Sequence, residues 1–124
     1  MQHLPEEMGE QNFVEVPCVP LDPMVHALDL NPSVIKIDVE GAEHLVLQGA
    51  QESVAKDGVR LLLEVHHEYL TQRGKSANDV LVQVADLGKE IYYIEGDEDG
   101  PYKYMQKMDP AQPITLPNFR VVAR

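Results

Sequence analysis

Apolar residues recur along this chain in two rhythms, one of period two and one near 3.6, and their alternation sets out the elements. Val34 to Glu40, V-I-K-I-D-V-E, places Ile35, Ile37 and Val39 on one side of a strand. Lys36, Asp38 and Glu40 then share the other side, because side chains alternate along extended backbone. Gly41 follows, where a strand must turn sharply. Ala42 to Lys56 reads as one helix, with Val46, Ala50 and Val54 on a face that Leu47 widens. Gly49 inside it costs up to about 1 kcal/mol against alanine unless the helix passes close to the sheet there. Gly58 marks its end. Val59 to His66 is a second strand, whose consecutive Leu61, Leu62 and Leu63 suit a strand covered on both faces. Two strands joined by a helix make a right-handed parallel crossover. Both strand ends then meet at the sheet edge where open α/β sheets place their ligands.

The flanking segments are less regular. Residues 1–12 are polar and acidic and read as an exposed lead-in, leaving 13–124 as the folded portion. Phe13 to Val19 alternates until Pro17 and Pro20 interrupt it, so it is at best a short edge strand. Leu21-Asp22-Pro23 predicts a helix start with Asp22 as N-cap and Pro23 first in the helix. That short helix would carry Met24, Val25 and Leu28 inward. Beyond the second strand, Glu68 to Lys75 reads as a polar loop over the same sheet edge. Ser76 and Asp79 form a variant capping box for a helix bearing Val80, Val84 and Leu87 and ending at Gly88. Glu90 to Glu95 predicts a third strand, followed by the acidic turn G-D-E-D-G-P, and Asn118 to Val122 a last one.

Composition narrows the partners. At 124 residues the chain suits one domain, with roughly two-thirds of its unfolded surface buried. Hydrophobic residues at 44% and charged residues at 25% argue for a globular fold rather than disorder. A formal charge of -11 repels a phosphate backbone, so nucleic acid is excluded as an expected partner. Anionic membrane surfaces are disfavoured equally, since no basic patch is found. No apolar run approaches the ~18 residues of a spanning helix, and M-Q-H-L-P-E-E lacks the features of a secretory signal. A cytoplasmic location is expected. Cys18 is the single cysteine; with no basic neighbour to activate it, a structural role is expected.

The candidate chemistry gathers at the two strand ends. Asp38 and Glu40 would lie roughly 7 Å apart on one face, close enough to act on one ligand. Glu64 and His66 share a face of the second strand, and an imidazole exchanges protons near neutrality, so His66 is a candidate base. Lys36, beside Asp38 in a strand expected to be buried, should pair with a carboxylate. Glu43 sits in the first turn of the predicted helix, where an anion is stabilised for structural reasons.

I-K-I-D-V-E-G-A-E, followed by V-L-Q-G-A and L-L-L-E-V-H, resembles the FkbM-type methyltransferase family from about Val14 to the end of the chain. The resemblance implies the C-terminal part of a Rossmann-like class I sheet, mostly parallel with an antiparallel terminal strand pair. It implies methyl transfer from S-adenosylmethionine to an oxygen on a sugar or a similar secondary metabolite. Val34–Glu40 corresponds to that fold's central fourth strand and Val59–His66 to its fifth. Asp38 takes the strand-end position near both cofactor and acceptor. The residues themselves add Asp38 and Glu40 as acceptor-orienting groups, His66 as base, and Glu64 and Lys36 beside the substrate. The glycine-rich turn after a first strand, which holds the cofactor, does not occur ahead of Val34. The cofactor site is therefore expected to be incomplete in this chain. A central strand without its neighbours leaves unpaired backbone groups at the sheet margin. Either self-association through Val34–Glu40 or cover by Phe13–Val19 is expected. Two other function classes fit the same residues. Asp38, Glu40, Glu64 and His66 could ligate a divalent cation in a metal-dependent hydrolase or methyltransferase, or the half-domain could dock on a partner without catalysis.

Overall fold

A computed structural model describes residues 14–95, 104–114 and 118–124. Its elements are α1 (Leu21–Ala27), β1 (Val34–Ile37), α2 (Glu43–Gln48), α3 (Gln51–Ala55), β2 (Arg60–His66), α4 (His67–Gln72), α5 (Ala77–Asp86), β3 (Ile91–Glu95), β4 (Tyr104–Lys107) and β5 (Asn118–Ala123). The five strands form one sheet in the order β1-β2-β5-β3-β4. β1 and β2 are parallel, as their helical crossover requires. The other three pairings are antiparallel. The expected mostly parallel sheet is thus corrected to a mostly antiparallel one. The cause is β5, which returns from the chain's end and inserts between β2 and β3. β1, β2 and β3 still run in one direction, but the inserted strand turns what would be a parallel neighbour pair into two antiparallel ones.

One face of the sheet carries the core. Ile35, Leu61, Ala123 and Ile91 stand in register across it, and Ile37, Leu63 and Val121 form the next row. Leu47 of α2, Val54 of α3 and Val80, Leu81 and Val84 of α5 pack onto these rows and are fully buried. The opposite face is a row of Lys36, Leu62, Val122 and Tyr92, of which Lys36 is exposed and the others half-buried. The triple leucine therefore does not signal cover on both faces. Leu62 sits on a face that no described helix covers, which leaves a shallow concavity of about 440 Å³ lined by Val34, Arg60, Leu62, Tyr92 and Val122 among others.

The helices depart from the predicted ones in three places. The single helix expected over 42–56 is broken into α2 and α3 at Gly49, which lies against α1 and not the sheet. A Cβ there would stand 3.1 Å from Pro20 Cα, and the Gly49 carbonyl accepts the Asp22 N–H at 2.8 Å. Asp22 does not cap its own helix, whose N-cap is Pro20. Its carboxylate instead accepts the N–H groups of Glu52 and Ser53, each at 2.9 Å, at the start of α3. Burial works against the charged form of Asp22, but the hydrogen bonds from Ser53 and Glu52 outweigh it and hold its pKa below the usual carboxylate value. The polar loop expected over 68–75 is mostly α4, anchored by the fully buried Leu70.

Elsewhere the pattern holds. Ser76 and Asp79 close the capping box, with Asp79 N–H donating to Ser76 Oγ at 3.1 Å and Ser76 N–H to Asp79 Oδ2 at 2.8 Å. The bond from the Ser76 N–H lowers the pKa of Asp79. β3 and β5 fall where alternation put them. β4 was not predicted. Residues 14–19 form no strand, and Val14, Val16 and Val19 are exposed, so this segment does not cover the free edge of β1. The lead-in over 1–12 and the acidic turn over 96–101 lie outside the described residues.

Candidate functional site

β1 and β2 end side by side, with Ile37 opposite Leu63, so the residues that follow them share one sheet edge. β1 stops at Ile37, three residues earlier than the alternation suggested. Asp38 lies just past the strand, and Glu40 and Gly41 adopt left-handed backbone with φ of 48° and 94°. The turn swings Glu40 out into solvent. The expected pairing of Asp38 and Glu40 on one strand face is therefore wrong, because the strand ends before either residue.

The turn is locked from above. An added Cβ at Gly41 would meet Tyr69 Cβ at 2.5 Å and the Tyr69 carbonyl carbon at 2.9 Å, so α4 rests directly on the glycine. Its N–H donates to Glu43 Oε1 at 3.1 Å. Glu43 opens α2 but does not face solvent as a helix-end anion would; it is fully buried. The same Oε1 accepts the backbone N–H of His66 at 3.3 Å and meets His66 Nδ1 at 2.9 Å. An oxygen that already accepts two backbone N–H groups is the acceptor toward the third nitrogen as well. Nδ1 thus carries the hydrogen, and whenever the ring is neutral its lone pair lies on Nε2.

That lone pair looks toward Asp38, whose Oδ1 is 3.8 Å from Nε2. His66 is 9% exposed, and Nε2 makes no hydrogen bond among the described residues. Tyr69 flanks the imidazole, ring centroids 6.1 Å apart. Lys36 Nζ lies 3.4 Å from Asp38 Oδ2, the pairing expected of it, but its side chain is 61% exposed because it projects from the sheet face that no described helix covers. Arg120 Nε stands 3.7 Å from Glu64 Oε1. One ligand atom each from Asp38, Glu64 and His66 all lie within 4.8 Å of one another. Four of the five predicted site residues thus converge, Glu40 being the exception. Glu43, assigned a structural role from its position, is the residue that orients the group. Its sequence signal was the glycine two residues before it, which lets the chain fold the carboxylate back over its own turn.

The concavity on the open sheet face begins at the other ends of β1 and β2, and none of the clustered residues lines it. No described helix is long and apolar enough to cross a membrane. A family model for the methyltransferase FkbM domain matches residues 3–111. The chain belongs to the FkbM methyltransferase family. Among curated proteins and solved structures, none matches. The FkbM match spans the whole cluster, from Lys36 through Asp38 and Glu43 to His66, and the general chemistry it indicates is methyl transfer. Arg120, which pairs with Glu64, lies beyond the matched residues.

Proposed function

We propose that this chain takes part in S-adenosylmethionine-dependent O-methylation of a sugar or secondary-metabolite hydroxyl, and that it contributes the acceptor-side half of the site. The single observation that carries the reading is the line Glu43–His66–Asp38, in which a buried carboxylate fixes an imidazole so that its free nitrogen faces a second carboxylate at the strand edge. Bound S-adenosylmethionine supplies an electrophilic methyl group. The chain's residues deal with the oxygen that receives it. Asp38, 38% exposed at the side chain, can accept the hydroxyl's hydrogen bond and so aim its oxygen. The His66 Nε2 lone pair draws off the hydroxyl proton. Lys36 and Glu64 border the same space and suit the remaining polar groups of the acceptor.

The described residues do not by themselves form a cradle for the cofactor. β1 pairs on one side only among them, and the apolar row of Leu62, Val122 and Tyr92 has no helix over it. A free strand edge beside an uncovered face suits the junction with a cofactor-binding half, completing a Rossmann-like sheet in which β1, β2 and β3 share one direction. The same edge could also pair with a second copy of the chain.

Asp38→Asn, placed in a polypeptide that carries both halves, tests the reading through turnover and melting temperature together. Turnover should fall roughly tenfold or more, as expected for lost orientation of a reactant. The melting temperature should stay put, because Asp38 lies on the surface of the edge. Unchanged turnover would remove Asp38 from the mechanism.

A further inference from the structure

We infer that Asp38, Glu64 and His66 form a site for one divalent cation of the first transition row. The inference rests on the methyl-transfer reading only for what the ion does there, not for where it binds. Three observations point to it. The three ligand atoms lie within 4.8 Å of one another. An ion with bonds of about 2.0–2.2 Å spans up to about 4.4 Å between opposite ligands, so a small rotation of the Asp38 and Glu64 side chains closes the shell. The second is Nε2 itself, on a side chain 11% exposed, with no hydrogen-bond partner among the described residues and turned toward Asp38 Oδ1. Its 3.8 Å separation from Asp38 Oδ1 is too long for a hydrogen bond and suits two ligands of one ion. The third is Glu43. Histidines that bind metals almost always donate their other ring N–H to a carboxylate or carbonyl, which fixes the ring and its tautomer. Glu43 does this from full burial.

The ligand set also selects among ions. One imidazole with two carboxylates favours manganese, iron or zinc over calcium and magnesium, which prefer oxygen alone. Lys36 and Arg120 compete for the two carboxylates, but Lys36 approaches Oδ2 of Asp38 and leaves Oδ1, the atom nearer His66, to the ion. Three protein ligands leave coordination positions open. An acceptor hydroxyl bound at one of them is acidified by the ion, its proton passing to solvent at this half-exposed edge, and the oxygen keeps the electron pair with which it attacks. With the ion bound, the His66 lone pair is taken up in coordination, and direct proton removal by His66 belongs to the metal-free site.

The test is titration of the 124-residue chain with Mn²⁺, read as loss of the free-ion electron paramagnetic resonance signal, with no cofactor or acceptor present. One saturable site per chain is expected, undisturbed by equal Mg²⁺ or Ca²⁺. Glu43→Gln should weaken it about 10- to 100-fold, the usual effect of losing such an outer partner. His66→Ala should abolish it. Glu64→Gln, on a partly exposed side chain, should weaken it without loss of fold, so the test holds even if the buried variants fold poorly. Absence of saturable Mn²⁺ binding, or equal binding by wild type and Glu64→Gln, overturns the site. Full methyl transfer in the presence of a chelator overturns the ion's role while leaving the methyl-transfer reading intact, with His66 as the direct base.

Discussion

Gly41→Ala is expected to destabilise the fold by at least about 3 kcal/mol, the range reserved for strained backbone combined with overpacking. The new methyl group would lie 2.5 Å from Tyr69 Cβ and 2.9 Å from the Tyr69 carbonyl carbon, neither of which is the movable tip of a side chain. The φ of 94° is also one that alanine avoids. Relief would require α4 to lift off the turn, and α4 holds the fully buried Leu70. Thermal melting should show a drop of about 10 °C or more. Gly58→Ala is the built-in comparison, because its φ is 81° but nothing lies within 4 Å of the new Cβ. It should cost only about 1–2 kcal/mol, the left-handed penalty alone. Equal losses in the two variants would mean that α4 does not rest on Gly41.

Glu43→Ala should cost about 3–5 kcal/mol, as expected when one partner of a buried charged hydrogen-bond group is removed. A single oxygen serves the N–H of Gly41, the N–H of His66 and His66 Nδ1, and no described side chain stands ready to replace it. Glu43→Gln should cost less. It keeps an acceptor oxygen for the three donors but puts an amide NH₂ in place of Oε2, an atom that is buried without a hydrogen-bond partner. Denaturant midpoints of the three proteins should therefore rank wild type, then glutamine, then alanine. A Glu43→Ala protein as stable as wild type would show that the carboxylate does not hold the turn to the strand.

These two residues also show what patterning can and cannot reveal. Periodicity located β2, β3, β5 and α5, because each has an apolar face long enough to repeat. It also brought Asp38, Glu64, Lys36 and His66 to one edge, since a parallel crossover leaves little choice of where strand ends lie. It failed where a contact distant in sequence decides the local shape. The end of β1 at Ile37 is set by the turn beneath Tyr69, and the break between α2 and α3 by Pro20 against Gly49. Neither partner is within reach of a local window. Of the sheet that the resemblance implies, the antiparallel β3–β5 pair is present, but the mostly parallel order is not, because β5 inserts between β2 and β3. The role of Glu43 was hidden for a related reason. A glutamate at the start of a helix has a sufficient local explanation in the helix dipole, and only the position of His66, 23 residues on, reveals a different one.

The state of the His66 ring tests the arrangement most directly. Long-range proton–nitrogen NMR correlations of the imidazole, taken on the metal-free chain at mildly alkaline pH, distinguish the protonated ring nitrogen from the free one. The expected spectrum has the hydrogen on Nδ1, held by Glu43, and an unprotonated Nε2 facing Asp38, with the two forms mixing once Glu43 is changed to Ala. A wild-type ring protonated at Nε2 would contradict it, since that nitrogen could then neither draw a proton from an acceptor nor hold a cation.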